Sequence, residues 1–147
     1  HPHSGGLGWA LPAALGAQMA RPDGVAIAAI GDGSYIFANP AACHQIAEAL
    51  ELPVLIVVKN NAMWNAVRRS VLRSYPEGRA ARANAMPLTA LAPVPDFAQI
   101  AEASRAAGLR VSAPEGLPDA LAAAMRVVRE ERRAALVDVR TAASDAR

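Results

Sequence analysis

Residues 25–61 read VAIAAIGDGSYIFANPAACHQIAEALELPVLIVVKNN, and they set the architecture of the chain. Residues 25–30 and 53–59 are short apolar runs, rich in Val and Ile, that suit buried parallel strands. The residues between them are long enough for a helix that crosses over from one parallel strand to the next. The sequence therefore predicts a βαβ unit within an α/β fold, a three-layer Rossmann-like domain with a mostly parallel central sheet.

Oxygen-bearing side chains follow both predicted strands. Asp32, within the tetrapeptide GDGS, follows the first strand, and Asn60 and Asn61 follow the second. In an open parallel sheet these two strand ends lie on one edge, which is where such folds bind ligands. A carboxylate, an amide oxygen and a glycine turn that lets backbone approach closely would suit a hard cation that carries phosphate.

The same residues form a family pattern. Gly-Asp-Gly, 26 further residues and then Asn-Asn resemble the cofactor motif of thiamine diphosphate enzymes. Residues 5–16, GGLGWALPAALG, resemble the GGLG…LPAA…G segment of acetolactate synthases and benzoylformate decarboxylases. The predicted helices and strands continue to fit this family to about residue 140. The resemblance therefore implies that residues 1–147 form the diphosphate-binding domain of an acetolactate-synthase-like enzyme, with the thiamine diphosphate-binding fold.

This resemblance implies a set of metal and cofactor ligands. Mg²⁺ would be bound by the side chains of Asp32 and Asn61 and by the backbone carbonyl of Met63, with diphosphate oxygens and a water completing six-fold coordination. Gly33 and Ser34 would also contact thiamine diphosphate. A plain turn after the second strand is the structural alternative for the Asn pair.

Residues near the start of the chain are assigned in the same way. The resemblance implies that the carbonyl of Gly5 accepts a hydrogen bond from the 4′-amino group of the cofactor. It also implies that Leu7, 25 residues before Asp32 as in benzoylformate decarboxylases, is an apolar wedge that keeps the cofactor bent. The alternative is that Leu7 is an ordinary core leucine. His3 or Ser4 would line the active site or, alternatively, belong to an exposed end.

The implied activity is that of a thiamine diphosphate-dependent C–C bond lyase or transferase, which decarboxylates a 2-oxoacid and ligates the resulting carbanion to a second carbonyl. The glutamate that activates the cofactor lies, in the family, on the pyrimidine-binding domain of a neighbouring subunit. We therefore expect no catalytic residue in this chain, activity only with that partner domain, and a homodimer or homotetramer. Arg68 and Arg69 would attract an anionic 2-oxoacid, or alternatively lie in solvent or at a subunit interface.

Two other functions stay open. One is a benzoylformate-type decarboxylase that does not ligate, which the gap-free position of the GGLG segment favours. The other is a non-catalytic oligomerisation module of the same fold, against which the presence of both Asp32 and Asn61 argues.

The bulk composition excludes several classes of protein. A chain of 147 residues suits one domain, and a net charge of +2 with scattered arginines gives no reason to expect nucleic acid as a partner. The apolar runs are too short for a membrane span. The single Cys43 excludes an internal disulfide, and with no visible signal peptide we expect a cytoplasmic protein. Because the chain begins at His1, we expect a fragment of a longer multidomain chain, with a split subunit as the alternative.

The remaining elements are predicted from periodicity and breaker residues. We expect residues 35–38 to be a connector, residues 74–95 to be an irregular lid or interface arm, and the end of the chain to fray after residue 140. Cys43 is expected to be a small core residue and His44 a helix-surface or interface residue. The predicted helices are 11–20, 40–51 (with Ala42, Ile46, Ala47 and Leu50 on one face), 66–72, 96–107 and 118–132, and the further predicted strands are 109–112 and 134–139.

Overall fold

The computed structural model describes residues 5–83 and 85–142 of the protein. Its strands are β1 (Ile27–Gly31), β2 (Leu55–Asn60), β3 (Ala107–Val111) and β4 (Ala135–Arg140). Its helices are α1 (Ala10–Ala20), α2 (Asp32–Phe37), α3 (Pro40–Ala49), α4 (Asn65–Ser74), α5 (Arg79–Arg82), α6 (Phe97–Glu102) and α7 (Leu117–Glu130), with a 3₁₀ turn at Pro114–Gly116 before the last.

The four described strands form one parallel sheet in the order β1-β2-β4-β3. Helices α1, α3 and α6 cover one face, and α7 covers the other. Strand β2 is buried on both faces. Ile56 and Val58 pack on the side of α1, α3 and α6, and Leu55 packs on the side of α7. This arrangement confirms the predicted α/β fold.

Strand β1 is one of the two edge strands of this sheet within the described residues, and it pairs with β2 only. Ala28 and Ile30 are buried under α1, whereas the alternate residues point outward and Ile27 is 56% exposed. Such an alternation is what a strand covered on one face shows. The strand predicted at residues 25–30 is therefore present, shifted by one or two residues.

The prediction of a connector at residues 35–38 is wrong. Helix α2 starts at Asp32, directly after β1, and its Tyr35 is fully buried against Phe97 of α6. Tyr35 also lies against the face of α3 that carries His44, so this face is the buried one. The predicted face of α3 is wrong for this reason: Ala47 is buried as expected, but Ala42 is exposed and Ile46 and Leu50 are 41% and 51% exposed.

Helix α6 ends earlier than predicted and β3 begins earlier. Asp96 caps the helix by accepting a hydrogen bond from the Gln99 amide (3.0 Å). Gly108, the residue after the predicted helix 96–107, lies inside β3, where the strand passes close to α6. A Cβ at Gly108 would lie 2.7 Å from the carbonyl oxygen of Ala98, so glycine here permits tight helix–sheet packing.

The segment predicted to be irregular is tied to the loop that follows β2. The Trp64 amide donates to the Thr89 carbonyl and the Leu91 amide donates to the Ala62 carbonyl, both at 2.8 Å. These two bonds flank a bridge between Met63 and Ala90.

None of the helices in residues 5–83 and 85–142 combines the length and apolar character that crossing a bilayer requires. The predicted fraying falls mostly on residues 143–147, outside the described residues.

Candidate functional site

The carboxyl ends of β1 and β2 bring Asp32 and the loop of residues 61–63 together. Asp32 is the first residue of α2 and is only 3% exposed. Its Oδ1 accepts a hydrogen bond from the Gly33 amide (2.8 Å), and its Oδ2 accepts from the amides of Asn61 (3.1 Å) and Met63 (3.3 Å). Three backbone donors therefore fix the carboxylate in one orientation.

The side-chain oxygen of Asn61 points at the Met63 amide, as Asp32 Oδ2 does. Its Oδ1 accepts a hydrogen bond from the Met63 amide at 3.1 Å, while Asp32 Oδ2 lies 3.3 Å from that nitrogen. The two side chains predicted to bind the metal thus place an oxygen each beside one amide group. The two strand tips are close enough to act on a common ligand.

The carbonyl of Met63 faces the side of the loop on which Asp32 lies. In the bridge with Ala90 the hydrogen bonds are made by the flanking residues, through Trp64 N and Ala62 O. The N–H and C=O groups of Met63 therefore point away from Ala90, and the N–H reaches Asp32. All three predicted metal ligands lie in one place.

This donor set fits a magnesium ion that carries a diphosphate. Among residues 5–83 and 85–142, no three His, Cys, Asp or Glu side chains come together as a metal site. Asp32 brings one carboxylate, and the other oxygens belong to an amide side chain and a peptide carbonyl. Mg²⁺ is bound in this way where phosphate oxygens supply the remaining ligands, since it takes few protein carboxylates in such sites.

Gly33 is buried beneath the indole ring of Trp64. A Cβ at this position would lie 2.6 Å from a ring carbon of Trp64, so the close approach that glycine permits here is that of a side chain. The sequence predicted the need for glycine in this turn, but not its neighbour. Contact of Gly33 and Ser34 with a cofactor stays a prediction.

Ser34 holds the glycine-rich loop against α2. Its Oγ accepts a hydrogen bond from the Gly8 amide at 3.0 Å. Gly8 has a φ of 81°, and a Cβ on it would lie 2.9 Å from the carbonyl of Phe37, so this position demands glycine for two reasons. The contact fixes the end of the loop that carries Gly5 and Leu7.

Leu7 lies on the surface and not in the core. Its side chain is 47% exposed and lines a cleft of about 560 Å³ between α1 and β1, together with Gly5 and Ser34. The alternative of an ordinary core leucine is therefore wrong within the described structure. An exposed apolar side chain beside a cleft is what a wedge against a bound ligand requires, and the wedge role stays a prediction. His3 and Ser4 lie outside the described residues.

His44 was predicted at the helix surface or at an interface and is instead buried within this chain, at 1% exposure. Its Nε2 lies 2.9 Å from the Tyr35 hydroxyl, and burial lowers the pKa of its imidazole to about 4. Burial also raises the pKa of Tyr35. Cys43 is buried, as predicted, with its thiol donating to the Ala38 carbonyl. These side chains lie where α2 packs against α3.

A second buried polar pair was missed by the sequence reasoning. Asn60, the residue before Asn61, donates through Nδ2 to both carboxylate oxygens of Asp138 on β4 (3.0 and 3.3 Å). Burial raises the pKa of Asp138. The signal in the sequence was a lone Asp within the apolar strand ALVDVR, although its partner could not be read from it.

Arg68 and Arg69 lie in the first turns of α4, which starts one residue after Trp64. Arg68 is half-buried, Arg69 is exposed, and the neighbouring Val67 is 51% exposed. Their position at this end of the sheet agrees with either of the roles expected for them, and attraction of a substrate stays a prediction.

Comparison with known proteins places this geometry in a family. A family model described as thiamine pyrophosphate enzyme, C-terminal TPP binding domain, matches residues 2–139. The chain is 37% identical over 135 residues to the acetolactate synthase isozyme 3 large subunit of Escherichia coli, covering 88% of this chain and 22% of that protein. It is 33% identical over 123 residues to the acetolactate synthase of Mycobacterium avium, covering 84% and 19% of the two chains.

Decarboxylases are also similar. The benzoylformate decarboxylase of Pseudomonas aeruginosa is 39% identical over 67 residues, covering 46% of this chain and 12% of that one. The thiamine diphosphate-dependent 4-hydroxybenzoylformate decarboxylase of Rhodococcus jostii RHA1 superposes with a TM-score of 0.81 at 31% identity, over 99% of this chain and 25% of that one. The chain thus spans between about a tenth and a quarter of the length of these relatives. The chain belongs to the family of C-terminal thiamine diphosphate-binding domains of thiamine diphosphate-dependent enzymes.

Proposed function

We propose that this chain forms the diphosphate- and Mg²⁺-binding half of an active site in an acetolactate-synthase-like enzyme. The enzyme would decarboxylate a 2-oxoacid and ligate the product to a second carbonyl. One observation carries the proposal: Asp32 Oδ2 and Asn61 Oδ1 both lie within 3.3 Å of the Met63 amide, at the tips of two parallel strands. Acetolactate synthases that match more than four-fifths of the chain support the choice of reaction.

The residues of this chain act by holding and orienting. Asp32, Asn61 and the Met63 carbonyl would bind Mg²⁺, whose charge offsets that of the diphosphate. The amides on Asp32 keep its carboxylate in place without a rotamer change, so little ordering entropy is lost on binding. Thiamine diphosphate, when bound, supplies the electron sink for loss of carbon dioxide from the 2-oxoacid.

The cleft beside Leu7 would receive the rest of the cofactor. Leu7 offers an exposed apolar surface there, and the Gly5 carbonyl lies on the same loop. The loop is anchored by the Gly8–Ser34 hydrogen bond, so the position of Leu7 is set by α2 and not by the ligand. The activating glutamate would come from the pyrimidine-binding domain of a neighbouring subunit, in a homodimer or homotetramer.

A benzoylformate-type decarboxylase that releases an aldehyde is the second candidate. Its support is the superposition of 99% of the chain on the 4-hydroxybenzoylformate decarboxylase, at a TM-score of 0.81. Both candidates use the same metal and cofactor site. Incubating the complete protein with pyruvate and with benzoylformate, followed by product analysis, separates them: acetolactate supports the first, and an aldehyde alone supports the second.

The metal site is tested by calorimetric titration of the complete protein with thiamine diphosphate, with and without Mg²⁺. Asp32→Asn removes the carboxylate charge at nearly constant volume, and we expect it to abolish the Mg²⁺-dependent part of the binding. Asp23→Asn is the matched control, because Asp23 is an exposed aspartate in the turn before β1. Unchanged Mg²⁺-dependent binding by the Asp32→Asn protein would remove the assignment.

A further inference from the structure

The buried pair of Asn60 and Asp138 adjoins the candidate site but contributes no ligand to it. Asn60 is the last residue of β2 and Asp138 lies in the neighbouring β4, opposite Val58. Strand alternation puts both side chains on the same face of the sheet, and they are 1% and 3% exposed. Their contact joins two strands that are 78 residues apart along the chain.

We propose that Asp138 is a positioning residue for the metal site, which orients the Asn60 amide and thereby holds the loop of residues 61–63. This inference rests on the function proposed above. Asp138 itself would touch neither metal nor cofactor.

The orientation of the Asn60 amide follows from hydrogen-bond chemistry. An ionised carboxylate only accepts hydrogen bonds, so Asn60 must turn its NH₂ group toward Asp138. Both carboxylate oxygens receive it, at 3.0 and 3.3 Å. The Oδ1 of Asn60 is thereby directed to the loop, where it accepts from the Ala62 amide at 3.2 Å. An uncharged amide in place of Asp138 would leave the flip state of Asn60 undetermined.

Ala62 is the residue of the loop that most needs to be held. It has a left-handed φ of 58°, which is unfavourable for a residue with a Cβ. Its amide goes to Asn60, while the amides on either side of it, from Asn61 and Met63, go to Asp32. Three consecutive amides are thus divided between Asp32 and Asn60. Without the second acceptor the middle of the loop loses its anchor, and the two predicted ligands within the loop, Asn61 and Met63, flank that point.

The pair is not explained by the stability of the sheet. Both side chains are almost fully buried, and a carboxylate in such a place is costly unless it is paired. Arg140 Nε is 3.9 Å from Asp138 Oδ2, but the Arg140 side chain is itself 55% exposed. An apolar pair of similar volume would fill the same space without that cost, so a role in fixing the loop gives the pair a reason.

The experiment measures how much Mg²⁺ the complete protein needs to bind thiamine diphosphate. Cofactor binding is followed by calorimetry or tryptophan fluorescence across a MgCl₂ titration, and turnover is measured at saturating Mg²⁺. For Asp138→Asn we expect the half-saturating Mg²⁺ concentration to rise roughly ten-fold, as for other residues behind a metal ligand, while the saturated turnover number stays close to that of the parent protein.

Two double variants separate positioning from a structural role. In Asn60→Asp with Asp138→Asn, the exchanged pair again offers the Ala62 amide an acceptor of fixed orientation, and we expect the Mg²⁺ requirement to return toward the original value. In Asn60→Leu with Asp138→Leu, the sheet keeps its packing but the loop loses its acceptor, and we expect a folded protein with a raised Mg²⁺ requirement. This second variant also serves if Asp138→Asn does not fold.

Four results would overturn the inference. An unchanged Mg²⁺ requirement in Asp138→Asn, or a normal requirement in the folded double-leucine variant, shows that the loop does not depend on the pair. No recovery in the exchanged pair shows that amide orientation is not the cause. If instead Asp32→Asn leaves Mg²⁺-dependent binding intact, the metal site proposed above fails and this inference fails with it. Loss in Asp32→Asn with no effect at Asp138 removes this inference alone.

Discussion

The Nε2 atom of His44 lies 2.9 Å from the hydroxyl oxygen of Tyr35, with the two side chains 1% and 0% exposed. This pair connects α2 to α3. No hydrogen-bond partner for the other ring nitrogen, Nδ1, lies among the described residues. A neutral imidazole needs only one of its nitrogens as a donor, so the site suits the neutral form and penalises the charged one.

This burial predicts a stability that depends on pH. The folded-state pKa of His44 is lowered to about 4 from 6.5, so the unfolded chain binds this proton more readily. The contribution of neutral His44 to stability is complete above pH 6.5 and is lost as the pH falls toward 4. The free energy of unfolding is then lower by at most about 3 kcal/mol. Urea unfolding at pH 7 and pH 5 measures it. His44→Gln should lose less stability between these pH values; an equal loss in both proteins would contradict the assignment.

Two glycine-to-alanine changes should act in opposite directions. Gly108→Ala puts a Cβ 2.7 Å from the Ala98 carbonyl and 2.6 Å from a carboxylate oxygen of Glu102, and we expect it to lower the free energy of unfolding by about 1–3 kcal/mol. Gly16→Ala, in α1, meets no atom within 4 Å and should raise it by about 0.5–1 kcal/mol. Denaturant midpoints compare the two. A neutral Gly108→Ala would show that β3 does not lie this close to α6.

The cap of α6 can be separated from its ion pair. Asp96 accepts from the Gln99 amide and also makes a two-pronged contact with Arg110, at 2.8–3.2 Å. Asp96→Ala should destabilise the protein by about 1 kcal/mol through loss of the cap. Asp96→Asn keeps a capping oxygen and loses only an exposed ion pair, so it should retain most of the stability. Equal losses in thermal unfolding would assign the effect to the ion pair instead.

Leu7 should affect turnover more than binding. If it is the wedge, Leu7→Ala in the complete protein will lower the turnover number while the affinity for thiamine diphosphate changes little, because the diphosphate is held elsewhere. Leu50→Ala is the matched control, since Leu50 is 51% exposed and precedes the amino end of β2, whereas the candidate site lies at the carboxyl ends of the strands. Steady-state kinetics and calorimetry measure both quantities. An unchanged turnover number would refute the role.

The parts that the sequence predicted are those set by local pattern and chain direction. Apolar strands ending in Asp32 and Asn61 imply one edge of a parallel sheet, and the structure brings these side chains to a common amide. The burial of His44 could not be predicted in this way. It depends on Tyr35 lying in a helix, and that helix begins with the sequence Asp-Gly-Ser, which is typical of a turn. The Asn60–Asp138 contact needs the strand order as well, since only the adjacency of β2 and β4 joins residues so far apart.

The open edge at β1 has a practical consequence for anyone who produces residues 1–147 by themselves. Among residues 5–83 and 85–142, β1 has a strand partner on one side only, and Ile27 is more than half exposed on its outer face, so β1 is a template on which a second chain can add by backbone pairing. Such material should oligomerise or precipitate as its concentration rises, whatever the state of its ligand site. Assays of binding should therefore be accompanied by a measurement of the oligomeric state.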